Sequence, residues 1–77
     1  MTTPHERTRN ILHTREFLYD LARGEYAVTV PDSVRTEAWR LLRHYPDPQT
    51  VRAISSEASL WLASPDLSEW KLLPEVR

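Results

Sequence analysis

The chain has 77 residues, 40% of them hydrophobic and 27% charged, the balance of one soluble globular domain with no room for a separate cofactor or substrate domain. The absence of cysteine excludes disulfides, thiolate nucleophiles and thiolate metal centres, and a net charge of -1 supplies no global positive field to gather a phosphate backbone. No run approaches the roughly 18 apolar residues of a spanning helix, and the opening Met1 to Arg7 is too polar for a signal peptide, so a cytoplasmic location is expected.

Proline and the single glycine, Gly24, divide the chain into helical blocks. In Thr3-Pro4-His5-Glu6, a capping threonine precedes a first-turn proline and stands three residues before a glutamate that can reach back to the cap, which predicts a helix over 4–23. Projected at about 100° per residue, Ile11, Thr14, Phe17, Leu18, Leu21 and Ala22 share a face opposite Arg9, His13, Glu16 and Asp20. Arg23 suits the negative end of the dipole, and Gly24 can take the left-handed closing conformation.

Residues 25–30 alternate apolar and polar, yet no second strand is in view to pair with them, so 24–30 are expected to form an extended connector that tucks Tyr26, Val28 and Val30 against the helices. Pro31-Asp32-Ser33 opens a second helix expected over 31–44, with Val34, Ala38, Leu41 and Tyr45 as its core stripe and Pro46 as its stop. Asp47-Pro48 repeats the capping device for a third helix expected over 48–63. Val51, Ile54, Ala58, Trp61 and Leu62 line one side of it, with Leu60 left on the far side. A last short helix is expected over 65–72 after Ser64-Pro65-Asp66, stopped by Pro74. The fold class is therefore all-α, a small three-helix bundle with a short fourth C-terminal helix.

Chemistry is thinly represented. His5, His13 and His44 show no spacing of three or four that would place two ligands on one helical face. Ser55, Ser56 and Ser59 have neither a glycine elbow nor a base beside them, and one glycine cannot build a phosphate loop. No catalytic residue, metal or cofactor is expected. The most informative constellation is Arg35, Trp39 and Arg43, spaced by four so that an indole is flanked by two guanidinium groups. Such a tryptophan can anchor a partner, or it can be covered by the C-terminal segment through Trp70 or Leu73. The second and third expected helices also have the outline of a helix-turn-helix that would read DNA through Gln49, Thr50 and Arg52. Positive charge thins out beyond residue 52, against the needs of a nucleic-acid module.

The runs Thr3-Pro4-His5-Glu6-Arg7-Thr8-Arg9 and Thr14-Arg15-Glu16-Phe17-Leu18, followed by Val34-Arg35-Thr36-Glu37-Ala38 and Leu41-Leu42-Arg43-His44-Tyr45-Pro46, carry a resemblance. The chain resembles a group of small bacterial proteins of unassigned function, and the likeness stops before Val51. It implies a helical fold and a bacterial or phage origin, and it brings no biochemical activity. The resulting expectation is a non-enzymatic interaction module of the economy seen in small phage or mobile-element inhibitors. It would dock on another protein through Arg35, Trp39, Arg43, Leu60 and Trp70, and self-association as a homodimer is one form of that docking.

Overall fold

The computed structural model describes residues 2–24 and 29–70, and within them the chain is helical with no strand. Helix α1 spans Pro4–Arg23, α2 spans Asp32–Leu42 and α3 spans Pro48–Glu57; a single 3-10 turn follows at Leu67–Glu69. Most of the expected connector, and Leu72 to Pro74 with it, lies outside the described residues. No described helix is long and apolar enough to cross a membrane.

The α1 boundaries are those the capping signals predict. The Thr3 side chain accepts from the Glu6 N–H at 3.1 Å while the Glu6 carboxylate accepts from the Thr3 N–H at 2.9 Å, which satisfies two otherwise orphaned donors. At the other end Gly24 takes φ 73° and its N–H closes back on the carbonyls of Asp20 and Leu21, a conformation that costs glycine nothing sterically.

α2 runs antiparallel to α1, since Arg35 reaches the carbonyl of Ala22 and Trp39 meets Tyr19 one turn earlier in α1. These two helices pack along a shared length, whereas the other pairs of elements meet at few points. The arrangement is a spine with shorter pieces laid along it. α2 covers the C-terminal half of α1. The start of α3 lies near its middle, where Arg15 sits close enough to Asp47 to act on its charge, and residues 61–63 bond to its first turns. The segment to Trp70 then turns back up α1, with Glu69 on Arg9 and Trp70 on His13.

Three expected boundaries shift, each for a local reason. α2 stops at Leu42 rather than 44, because Pro46 has no N–H to donate to the Leu42 carbonyl, which instead accepts from the Tyr45 N–H in a tighter turn at 3.2 Å. α3 stops at Glu57 rather than 63. The hydroxyls of Ser55 and Ser56 donate to the carbonyls of Arg52 and Ala53, each at 2.7 Å, and such back-bonding competes with the helical ladder. The short helix expected over 65–72 is, within the described residues, only the 3-10 turn begun by Asp66, whose carboxylate accepts from the N–H and the hydroxyl of Ser68.

The core also turns relative to expectation. Its buried members are Leu12, Tyr19 and Ala22 of α1, Ala38 and Leu42 of α2, and Val51 of α3, with the polar Thr8 and Ser55 beside them. Phe17, Val34, Leu41, Ile54 and Trp61, all expected inside, are exposed. Apolar side chains cover an arc of about 220° on α1, from Phe17 round to Leu12. An arc that wide has two candidate inner faces, and α2 takes the one marked by Leu12 and Tyr19.

Candidate functional site

The early end of α3 creates the most exposed apolar feature among the described residues. After Ala58 the chain makes one isolated turn, with the N–H groups of Trp61 and Leu62 both donating to the Ala58 carbonyl at 2.9 and 3.0 Å. The turn is then fastened to the spine. Arg7 Nε donates to the Trp61 carbonyl at 2.7 Å, the Thr8 hydroxyl donates to the Ala63 carbonyl at 2.7 Å, and the Ala63 N–H donates to the Pro4 carbonyl at 3.3 Å. The turn is closed on Ala58 and fastened to α1 at Trp61 and Ala63, and two of its side chains stand out into solvent: Leu60 is 83% exposed and Trp61 67%.

Arg7 fixes this knob twice. Its guanidinium carbon stands 5.8 Å from the centroid of the Trp61 ring, within cation–π range, and its Nη1 donates to the carbonyl and hydroxyl oxygens of Thr2 at 2.7 and 3.0 Å. A tryptophan whose own backbone and one ring face are held by the same arginine loses little freedom when it enters a pocket on another molecule.

The residues singled out from sequence do not form one surface. Trp39 is half-buried, and its ring meets Tyr19 edge-on with centroids 6.2 Å apart. Arg35 lies along the same seam, its Nε 3.5 Å from the Ala22 carbonyl and its Nη1 3.6 Å from Asp32. Arg43 closes α2 by donating its backbone N–H to the Trp39 carbonyl. Arg23 adds a further guanidinium 5.3 Å from the Tyr19 ring. Trp70 stands elsewhere, edge-on to His13 at 4.9 Å, on a different face of α1; the Leu73 alternative for covering Trp39 lies outside the described residues. Leu60 is beside Trp61 near the start of α1, roughly 18 Å along the helix axis from the Tyr19–Trp39 contact. Gln49, Thr50 and Arg52 are exposed at the start of α3, but α2 and α3 meet at few points, unlike the packed pair of a DNA-reading motif.

Trp61 is the residue that sequence reading missed. Its assignment to the core followed from running α3 on to residue 63. The serines at 55, 56 and 59 are the local signal that the helix ends before it.

Each carboxylate whose acidity departs from the ordinary range does so for a structural reason. The Thr3 backbone N–H holds Glu6 low, the Thr50 N–H holds Asp47 low, Ser68 does the same for Asp66, and the ion pair with Arg40 lowers Glu37. All four are helix caps or surface pairs. A small cleft of about 100 Å³ between His5, Arg9, Asp66, Glu69 and Trp70 is crossed by the Arg9–Glu69 ion pair at 3.1 Å. Among the described residues no three histidine or carboxylate side chains converge as metal ligands would. Compared with known protein families, with curated proteins and with solved structures, the chain matches none.

Proposed function

We propose that this chain is a non-enzymatic protein–protein interaction module of the cytoplasm, which docks on a larger partner by inserting Leu60 and Trp61 into an apolar pocket and so modulates or occludes that partner. The observation that carries the reading is the exposure of those two neighbouring side chains, 83% and 67%, on a turn bonded to α1 through Trp61 and Ala63. Tryptophan in a desolvated pocket is among the strongest contributors to binding between proteins, and a small set of such residues dominates affinity. The Arg7 guanidinium beside the indole adds a cation that would meet acidic or carbonyl groups at the rim of the partner's pocket. Trp39 becomes a pillar of the α1–α2 seam in this reading, and Leu60, one of the five expected contacts, becomes a principal one.

The test is quantitative capture from the native host with the wild-type chain, the Leu60→Ala/Trp61→Ala double variant and Trp39→Ala, followed by titration of the recovered protein in purified form. The double variant should keep its helical circular dichroism and weaken the complex by at least about 30-fold, the effect of losing a hot-spot pair. Equal affinity of the double variant and the wild type would remove the reading.

A further inference from the structure

Arg7 is the cation at the Leu60–Trp61 knob, and every acceptor it holds is neutral. Its Nε donates to the Trp61 carbonyl, and the two bonds of its Nη1 go to the carbonyl and hydroxyl oxygens of Thr2. Among the described residues Nη2 has no acceptor, and no carboxylate stands in ion-pair reach of this guanidinium. Arg9, Arg35 and Arg40 differ, each facing a carboxylate of the chain itself: Glu69, Asp32 and Glu37. The carboxylate next in sequence, Glu6, is committed to the helix cap, where it accepts from the Thr3 N–H at 2.9 Å.

A pocket that closes over the indole also takes water from Arg7, which is already half-buried and whose guanidinium carbon stands 5.8 Å from the ring centroid. Two demands then arise. The N–H groups of Nη2 need acceptors, and a positive charge removed from water needs an opposite charge beside it. A carbonyl or hydroxyl oxygen answers only the first; a carboxylate answers both. On the docking role of Leu60 and Trp61, on which this step rests, we propose that the partner carries an Asp or Glu side chain at the rim of its apolar pocket, accepting from Nη2 of Arg7. Pockets lined by apolar and neutral groups alone are thereby rejected, because they would strand the cation. A phosphate could pair with the same nitrogen while a base stacks on Trp61, but single-stranded nucleic acid is held along a positively charged groove, and the net charge of this chain is -1.

The probe is the protein recovered by capture, titrated in purified form at about 0.05 M and about 0.5 M salt against the wild type, Arg7→Lys, Arg7→Gln and Leu60→Ala/Trp61→Ala. Arg7→Gln should bind about tenfold more weakly than the wild type at low salt, and its loss of affinity on adding salt should be smaller by about fivefold. Arg7→Lys keeps the charge without the Nε bond to Trp61, so it should keep the salt response of the wild type whatever it loses in affinity. A salt response equal in the wild type and Arg7→Gln overturns the proposal, and so do Lys and Gln variants that behave alike, since Arg7 would then only position Trp61. In both cases a complex lost in the Leu60/Trp61 double variant leaves the docking role standing, whereas a double variant that binds like the wild type removes the docking role itself. A labelled oligothymidylate that binds the wild type but not Trp61→Ala would assign Nη2 to phosphate and overturn the carboxylate.

Discussion

The hydroxyl of Thr8 donates to the carbonyl of Ala63 at 2.7 Å, joining residues 55 positions apart. Thr8 is also among the most buried residues of the chain, with 3% of its surface exposed. Without this bond its hydroxyl would be an unsatisfied polar group in the core.

Thr8→Val keeps the shape, removes the donor and strands the Ala63 carbonyl at the same time. The expected cost is about 1–3 kcal/mol, read as a lower midpoint in thermal or urea unfolding. Thr8→Ser retains the hydroxyl and should recover most of the difference. Equal midpoints for Thr8→Val and the wild type would show that the 61–63 segment is not fastened there.

At Gly24 the backbone sits at φ 73°, and an added Cβ would come no closer than 3.4 Å to the flexible side chain of Arg35. The strain of Gly24→Ala is therefore conformational rather than a clash, and it should destabilise the chain by about 1 kcal/mol. Gly24→Asn should cost less, since asparagine tolerates the left-handed region. Urea titration of the three proteins checks the order Gly, Asn, Ala; alanine equal to glycine would contradict it.

Acid should destabilise the fold. Glu6, Glu37, Asp47 and Asp66 are all held below their ordinary values in the folded chain, so the folded chain binds fewer protons than the unfolded one near those values. Their contribution is complete above the unfolded values of 4.5 for Glu and 3.8 for Asp and disappears as pH falls through the lower folded ones. The urea midpoint should drop between about pH 5 and pH 3. Asp47→Asn, which keeps an acceptor at the α3 cap but cannot titrate, should drop less steeply. A midpoint that rises toward pH 3 would refute the assignment.

The position of the core is tested by a contrast between two leucines. Leu12→Ala empties a site where the leucine is only 1% exposed, and it should cost about 2–5 kcal/mol. Leu60→Ala removes a side chain that is 83% exposed and should change stability by no more than about 0.5 kcal/mol. Comparable losses at the two positions would mean that the spine is covered on a different face.

The parts of this fold that could be read from sequence are those governed by neighbours in the chain. Both ends of α1 and the start of α3 follow from a capping box, a positive-φ glycine and an Asp-Pro cap, all decided within a few residues. What could not be read depends on partners far along the chain. The inner face of α1 is ambiguous because Leu12 and Tyr19 and the group Phe17, Leu18 and Leu21 are equally apolar, and only the position of α2 chooses between them. The end of α3 was misjudged because Trp61 and Leu62 continue its apolar stripe, while the serine back-bonds that break it add no hydrophobic signal. The candidate site was legible only at Leu60. Trp61 becomes outward-facing only once Arg7 and Thr8 have drawn its flanking backbone onto α1.

That docking has a kinetic consequence. The bonds from Arg7 to Trp61, Thr8 to Ala63 and Arg9 to Glu69 span 54, 55 and 60 residues, loop closures of a length more typical of β-proteins than of small helical ones. Chains whose stabilising links are so distant in sequence must surrender much of their freedom before those links can form, and they mature more slowly than helical hairpins held by local contacts. The α1–α2 pair, held by links nearer in sequence, is therefore expected to assemble first and the Leu60–Trp61 knob last.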